Sequence, residues 1–195
     1  QSDHVDVGQT GTVDIEGQGN YKGVRKGIGF RIIPPNGVLQ IEAIPEQDFI
    51  NQPIKPEVTV SLLAEGFDVV YTDNLKAGTA TVTVTGKEPF SGTATAKFVI
   101  RPKSIGADGA IAEGITVSDI GVAQYTGSAL TPKVTLTFTP PQAAGKEDDP
   151  SKPVELVQGR DFTVDYVNNA KVGVAKAVVK GIGNYAGSIE KQFEI

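Results

Sequence analysis

Hydrophobic and polar residues alternate along several short segments of this chain. In residues 79–85, Ala80, Val82 and Val84 are separated by single threonines. A period of two is typical of a strand that buries one face. No segment shows a helical period, so the pattern predicts an all-β fold. The same inward-facing pattern is predicted at Phe67, Val69 and Tyr71, at Phe162, Val164 and Tyr166, at Ala175, Ala177 and Val179, and at Val13 and Ile15.

Three segments of the chain resemble one another. Residues 78–100 and 173–195 align without a gap at an offset of 95, and residues 11–32 match both once one extra residue is allowed. Further upstream the offset falls to 76, because the last copy carries 19 additional residues within 139–160. The sequence therefore predicts two full copies of a repeat and the closing half of a third.

Proline-containing joins separate the predicted copies, since proline directly after a strand ends it. Residues 1–33 are the C-terminal half of a first repeat, which either packs on the next copy or pairs with a neighbouring chain. Residues 34–101 and 102–195 are two immunoglobulin-like β-sandwich repeats, the second with an inserted loop at 139–160.

The last copy carries a series of motifs in a fixed order. They are Y-T-G-x-A-L-x-P-x-V from Tyr125, D-F-T-V-D-Y-V-N-N from Asp161, G-x-G-N-Y-x-G from Gly181, and F-x-I from Phe193. This series resembles the bacterial immunoglobulin-like (Big-type) repeats of large, secreted, multimodular surface proteins. The resemblance covers residues 115–195 well and residues 39–100 moderately.

The resemblance implies tandem β-sandwiches at the bacterial cell surface or cell wall. It also implies an extracellular spacer or adhesion role, with no catalytic residues to carry over. The partners it suggests are a host or bacterial surface protein or glycan, together with neighbouring repeats of the same chain.

Composition and charge narrow the function classes. The chain has 195 residues, a formal net charge of −5, and no cysteine, methionine or tryptophan. The acidic balance, without a basic stripe, argues against nucleic acid as a partner. No run of about 18 apolar residues exists, so no membrane insertion is predicted in this segment. The absence of cysteine excludes a disulfide framework.

Catalytic chemistry finds little support in the residues. His4, the one histidine, lies near the start of the given sequence, and a His/Cys zinc site cannot be assembled from it. Paired carboxylates could serve a glycosidase, but Asp161 with Asp165 and Asp68 with Asp73 are expected on solvated strand faces or turns. We therefore predict that the chain is not an enzyme.

Specific binding is predicted at the insertion. Phe138 stands at its mouth, and Glu147, Asp148 and Asp149 form an acidic run within it. Consecutive carboxylates can supply oxygen ligands to calcium, but the Asp-x-Asp-x-Asp-Gly pattern is missing. Solvated loop charges are the preferred interpretation, so no cofactor is predicted and calcium is kept as the alternative.

Two functions remain open. The first is a structural or adhesive module that acts as a spacer or stalk. The second is a carbohydrate-binding or accessory module of a secreted polysaccharide-degrading protein, with its binding site at 139–160. The aromatic position shared by Tyr21, Phe90 and Tyr185 is expected to fold back onto the sandwich edge rather than to form a sugar platform.

Overall fold

A computed structural model describes residues 10–31, 39–61, 66–87, 92–142 and 152–195. Within these ranges the regular structure consists of fourteen β-strands without a helix, and none of the described residues forms a helix that could cross a bilayer. The strands are β1 (Thr10–Glu16), β2 (Val24–Arg31), β3 (Gln47–Asp48), β4 (Phe67–Thr72), β5 (Gly78–Gly86), β6 (Thr93–Arg101), β7 (Lys103–Ala107), β8 (Ala110–Ile111), β9 (Ile115–Val117), β10 (Leu136–Phe138), β11 (Val154–Glu155), β12 (Phe162–Val167), β13 (Val174–Gly181) and β14 (Tyr185–Glu194).

The strands form four sheets. Their orders are β1-β2, β3-β6-β5-β4, β11-β10-β9 and β12-β13-β14-β7-β8. Most neighbouring strands are antiparallel, whereas β3 runs parallel to β6 and β7 runs parallel to β14. The all-β class predicted from the alternation is confirmed, and the arrangement in several sheets is consistent with a β-sandwich.

Close approaches between backbone segments divide the chain into two compact units. Unit 1 consists of Gln1–Pro45, Pro56–Thr72 and Thr81–Phe98, and unit 2 consists of Glu46–Lys55, Asp73–Ala80 and Val99–Ile195. This division runs through β5 and β6, so the three segments predicted from the repeat stay predictions.

The core of unit 1 contains the alternating face of β5. Val82 and Val84 are fully buried, as their period of two predicts, while the intervening threonines face outwards. Burying a valine side chain stabilises the fold by about 1.5–3 kcal/mol. The residues that cluster around Val84 are Leu39, Val60, Ile41, Val58, Phe67, Val69 and Ala94.

The core of unit 2 is organised around β13. Ala175, Ala177 and Val179 are fully buried, which confirms the inward set predicted for this strand. The small alanines of β13 lie in the same sheet as larger buried side chains of the neighbouring strands. Small and large side chains therefore fill the buried face together. The larger buried side chains of unit 2 are Ile105, Leu136, Phe138, Phe162, Ile189 and Phe193.

A tyrosine hydroxyl bonds an upstream proline carbonyl at two places in the chain. Tyr71 donates to the carbonyl oxygen of Pro56, and Tyr166 donates to the carbonyl oxygen of Pro132. The tyrosines are 95 residues apart and the prolines 76 residues apart, which are the two offsets found in the sequence. Each bond ties the end of a strand to the segment that precedes it.

An asparagine turn follows each of these tyrosines. Asn74 donates from Nδ2 to the Ile54 carbonyl at 2.9 Å, and the Ile54 amide donates back to the Asn74 carbonyl at 2.8 Å. Asn169 and Leu130 exchange the same pair of bonds, both at 2.8 Å. Asn168 has a φ of 57° in the second turn, so the turn predicted there from left-handed asparagine is confirmed.

The hairpin of β1 and β2 contains a β-bulge. Its register shifts between Val13 and Ile15, opposite Gly27, whose φ is 67°. The Gly27 amide donates to Oδ1 of Asp14 at 2.7 Å. An extra residue in one strand requires a local kink, and glycine reaches the left-handed region without a steric cost. The bulge accounts for the one extra residue that separates 11–32 from the other two segments in the alignment.

The expectation that Val13 and Ile15 face a core is wrong in this structure. Their side chains are 44% and 56% exposed. In the described part of the chain their sheet contains only β1 and β2, and the face that they share stays about half exposed. A strand pattern predicts which side chains share a face, but burial also requires a neighbour that covers the face.

Candidate functional site

A cleft with a volume of about 460 Å³ lies in unit 2. The end of the predicted insertion supplies Val154, Leu156 and Arg160 to its wall. Asn184, directly before β14, and Tyr185, its first residue, also line the cleft. The cleft therefore includes part of the segment in which the sequence predicts specific binding.

The wall formed by the insertion is a strand. β11 pairs antiparallel with β10 through Glu155 opposite Thr137 and Val154 opposite Phe138. The Leu156 amide extends the pairing by donating to the Leu136 carbonyl at 2.9 Å, and the Leu156 side chain is buried. The last part of the predicted loop is thus tied to the core, which gives the cleft a rigid side.

Phe138 belongs to the core. Its side chain is 1% exposed, because β10 alternates and places Leu136 and Phe138 on the same buried face. The ring meets the ring of Tyr185 edge-on with centroids 6.0 Å apart, and the Lys103 ammonium lies 5.7 Å from its centre. A ring in this position offers no stacking surface, so the prediction that Phe138 contacts a ligand is not supported.

The acidic run predicted to bind ligand or calcium lies outside the described residues. Glu147, Asp148 and Asp149 all fall within 143–151. In the ranges that the structure does describe, no group of three or more His, Cys, Asp or Glu side chains is arranged to hold a metal ion.

An ion pair between the buried Asp161 and the exposed Arg160 stands at the side of the cleft. Arg160 donates three hydrogen bonds to Asp161, from Nε to Oδ1 at 3.1 Å and to Oδ2 at 3.2 Å, and from Nη2 to Oδ2 at 2.7 Å. The Val157 amide donates to the same Oδ2 at 2.8 Å. Only 8% of the Asp161 side chain is exposed, against 67% of the arginine. The guanidinium is therefore the part of the pair that solvent and a ligand can reach.

These contacts decide the charge of Asp161. Burial alone would raise the pKa of its carboxyl. The hydrogen bonds from Arg160 and from the Val157 amide, with the positive charge of Arg160, outweigh burial and hold the pKa below its ordinary value. Asp161 is thus a carboxylate at neutral pH, and it fixes the position of Arg160.

The two aspartates paired in the sequence analysis have different environments. Asp165 is exposed and forms an ion pair with Lys180 at 2.9 Å, which confirms the solvated strand face predicted for it. The same prediction is wrong for Asp161, because the Arg160 and Val157 contacts compensate its burial. The sequence signal that could have found it is the adjacent arginine, which lies two residues before β12.

Tyr185 forms the floor of the cleft. It is 4% exposed, and Phe49 meets its ring edge-on with centroids 5.6 Å apart. Burial, reinforced by the charge of Asp161, raises the pKa of its hydroxyl to about 12. The prediction that the hairpin aromatic folds back is correct for Tyr185 and wrong for Tyr21, which is 80% exposed. Phe90 lies outside the described residues.

Backbone contacts fix the tip that carries Asn184. Its side-chain Oδ1 accepts a hydrogen bond from the Ala77 amide at 3.0 Å, and its carbonyl accepts one from the Lys103 amide at 2.9 Å. Gly187, with a φ of 84°, passes so near β7 that a Cβ there would lie 2.3 Å from the Gly106 carbonyl oxygen. The tip is therefore held at several points, and only glycine fits at 187.

Apolar and polar residues together line the cleft. Tyr185 and Leu156 supply apolar surface, whereas Arg160, Lys76 and Asn51 supply charge and hydrogen-bonding groups. A few convergent polar groups over an apolar base suit a small polar ligand. At neutral pH the Tyr185 hydroxyl keeps its proton, so it can donate a hydrogen bond.

No protein-family model matches this chain, and no curated protein is recognisably similar to it in sequence.

Proposed function

We propose that the chain is a non-catalytic extracellular structural or adhesion module of a bacterial surface protein, built from tandem immunoglobulin-like repeats that act as a spacer or stalk. The observation that carries the proposal is the recurring pair of upstream hydrogen bonds. Tyr71 and Tyr166 each bond a proline carbonyl, and each tyrosine is followed by an asparagine that bonds an upstream backbone carbonyl.

Recurring internal bonds suit a spacer for a mechanical reason. Each proposed repeat joins its opening segment to the end of its own strand, which ties the repeat together internally. An array of such repeats gains length with every copy, while each copy contacts mainly its neighbours. At the cell surface, the chain would bind a host or bacterial surface protein or a glycan. It would also contact neighbouring repeats of the same chain.

Small-angle scattering tests the spacer role. A compact chain of 195 residues has a radius of gyration of about 16 Å. We expect a distinctly larger value and an asymmetric distance distribution, both independent of protein concentration. A radius near the compact value would count against a spacer.

A second function is favoured by the cleft in unit 2. We propose that a saccharide binds there, as expected for a carbohydrate-binding or accessory module. Val154, Leu156 and Arg160 of the insertion line this cleft, and sugar hydroxyls pair well with arginine, lysine and amide side chains over an apolar base.

Two matched lysine variants test the saccharide proposal. Lys76 lines the cleft, and Lys171 occupies the equivalent position 95 residues later, outside the cleft lining. On a glycan array followed by titration calorimetry, we expect Lys76→Gln to weaken binding by about tenfold, the loss of one charge-assisted hydrogen bond, and Lys171→Gln to leave it unchanged. Equal effects of the two variants would place binding elsewhere.

A further inference from the structure

The β1–β2 hairpin is built like the β13–β14 hairpin. Before and after its bulge, the cross-strand neighbours of β1 coincide with those of β13. Such agreement over the length of two strands indicates that the hairpins occupy the same place in the proposed repeat. The cross-strand pair Gly11–Phe30 corresponds to Ala175–Phe193, Val13–Ile28 corresponds to Ala177–Lys191, and Ile15–Arg25 corresponds to Val179–Ile189.

The turn of the β1–β2 hairpin also matches the turn between β5 and β6. The Gly17 amide donates to the Gly23 carbonyl at 2.9 Å, and the Gly86 amide donates to the Gly92 carbonyl at 3.0 Å. Gly23 and Gly92 have φ values of 118° and 105°. The three segments that align in sequence thus contain hairpins of one construction.

Equivalent positions of these hairpins differ in exposure. Val82 and Val84 of β5 are fully buried, whereas Val13 and Ile15 at the same positions of β1 are about half exposed. Val13 and Ile15 lie two residues apart in β1, so they share one face of the strand. An apolar face that is buried in one hairpin and exposed in its equivalent indicates that the second lacks its cover.

The two covered hairpins show what the cover is. Phe98 meets the ring of Tyr71 edge-on at 6.4 Å, and Phe193 meets the ring of Tyr166 edge-on at 6.3 Å. In each case the tyrosine belongs to the strand that precedes the hairpin. Phe30 stands at the same hairpin position and is 48% exposed.

The same preceding strand also supplies backbone pairing. β4 pairs antiparallel with β5 over Phe67–Thr72, and β12 pairs in the same way with β13. Among the described residues β1 has only β2 as a neighbour, so its other edge corresponds to the edges that β4 and β12 occupy. Unpaired edges of this kind accept an added strand.

We propose that the β1–β2 hairpin is an interaction surface for the opening half of a further repeat of this kind. Its strand, with the alternation Phe-x-Val-x-Tyr, pairs with β1 and lays its tyrosine ring against Phe30. The apolar residues upstream of that strand then cover Val13 and Ile15. The proposal rests on the repeat interpretation, and not on the spacer role or on saccharide binding.

A chain extended by its own opening half tests this proposal. Residues 34–78 are duplicated and joined directly to Thr10, because Gly78 precedes the equivalent position in β5. Hydrogen exchange is then followed along β1 in the full chain. We expect amide protection in β1 to rise by at least about tenfold, as for a strand that gains a partner and a cover. Phe30→Ala should remove most of that gain.

The control extension carries Phe67→Ser, Val69→Ser and Tyr71→Ser in the duplicated segment only, and it should leave β1 as exchangeable as in the parent. Equal protection from both extensions, or no gain from either, would overturn the proposal. It would also be overturned by light scattering that shows a dimer of the parent chain with β1 already protected, since a second copy would then be the occupant. Scattering dimensions test the spacer role separately.

Discussion

Two hairpin tips with the sequence Gly-Asn-Tyr have opposite environments. Tyr21 is almost fully exposed, whereas Tyr185 is buried between the rings of Phe49 and Phe138. Both tips use glycines with positive φ, among them Gly19 and Gly183 at 69° and 67°. The comparison shows that local sequence determines the turn, while burial of the aromatic residue depends on segments far away in the chain.

The largest effect that separates the two hairpins is expected from their closing phenylalanines. Phe193 is 3% exposed, so Phe193→Ala should lower the free energy of unfolding by about 3–5 kcal/mol. Phe30 is about half exposed, and Phe30→Ala in the parent chain should cost about 0.5 kcal/mol or less. Urea denaturation followed by circular dichroism measures both. Similar losses would mean that the first hairpin is covered in solution.

The next effect distinguishes turn conformation from packing. Gly187 and Gly23 occupy equivalent positions and both have positive φ, so Gly→Ala at either should cost about 1–2 kcal/mol of backbone strain. Gly187→Ala also drives a Cβ against the Gly106 carbonyl, while nothing lies within 4 Å of a Cβ at Gly23. That contact should add about 1–3 kcal/mol. Hydrogen exchange of the amides within each hairpin compares the two costs, and equal costs would contradict the close approach of β7.

The sequence predicted the strands and turns better than their environments. Alternation located the buried faces of β5 and β13, because a period of two assigns faces without knowledge of the partner. It misassigned Val13 and Ile15, since their cover is missing from the described chain. It also missed the burial of Asp161, because that burial depends on contacts made by Arg160 and the Val157 amide, and a strand pattern does not specify these.

A pH-dependent effect is expected at the covered tip. Asp161 lies beside Tyr185, and its carbonyl accepts a hydrogen bond from the Ile182 amide at 2.9 Å. The folded protein holds the pKa of Asp161 below its ordinary value of 3.8. The unfolded chain therefore binds more protons in acid, so this stabilisation is present above pH 3.8 and is lost as the pH falls through the lower folded value.

Asp161→Asn should cost about 1–3 kcal/mol at pH 7 and less in acid, because the wild-type carboxylate loses its advantage there. Urea midpoints at pH 7 and pH 3 measure this difference. Asp165→Asn is the matched control, since it removes an exposed ion pair with Lys180 that contributes about 0.2–1 kcal/mol. A cost of Asp161→Asn that stays constant from pH 7 to pH 3 would show that the substitution acts through packing and not through charge.

The smallest effect is expected at the bulge that distinguishes the first hairpin. β13 and β14 pair in continuous register from Val174 to Lys180, whereas the β1–β2 hairpin accommodates Gly27 through the Asp14 carboxylate. Asp14→Ala leaves the Gly27 amide to water, and at this exposed site the loss should be about 0.5–1 kcal/mol. Since the hairpin is covered on neither edge in the described chain, the loss should appear as faster exchange of the Gly27 amide, with the global unfolding midpoint unchanged. A shift of that midpoint would show instead that the first hairpin unfolds together with the rest of the chain, which requires contacts that its exposed apolar face does not reveal.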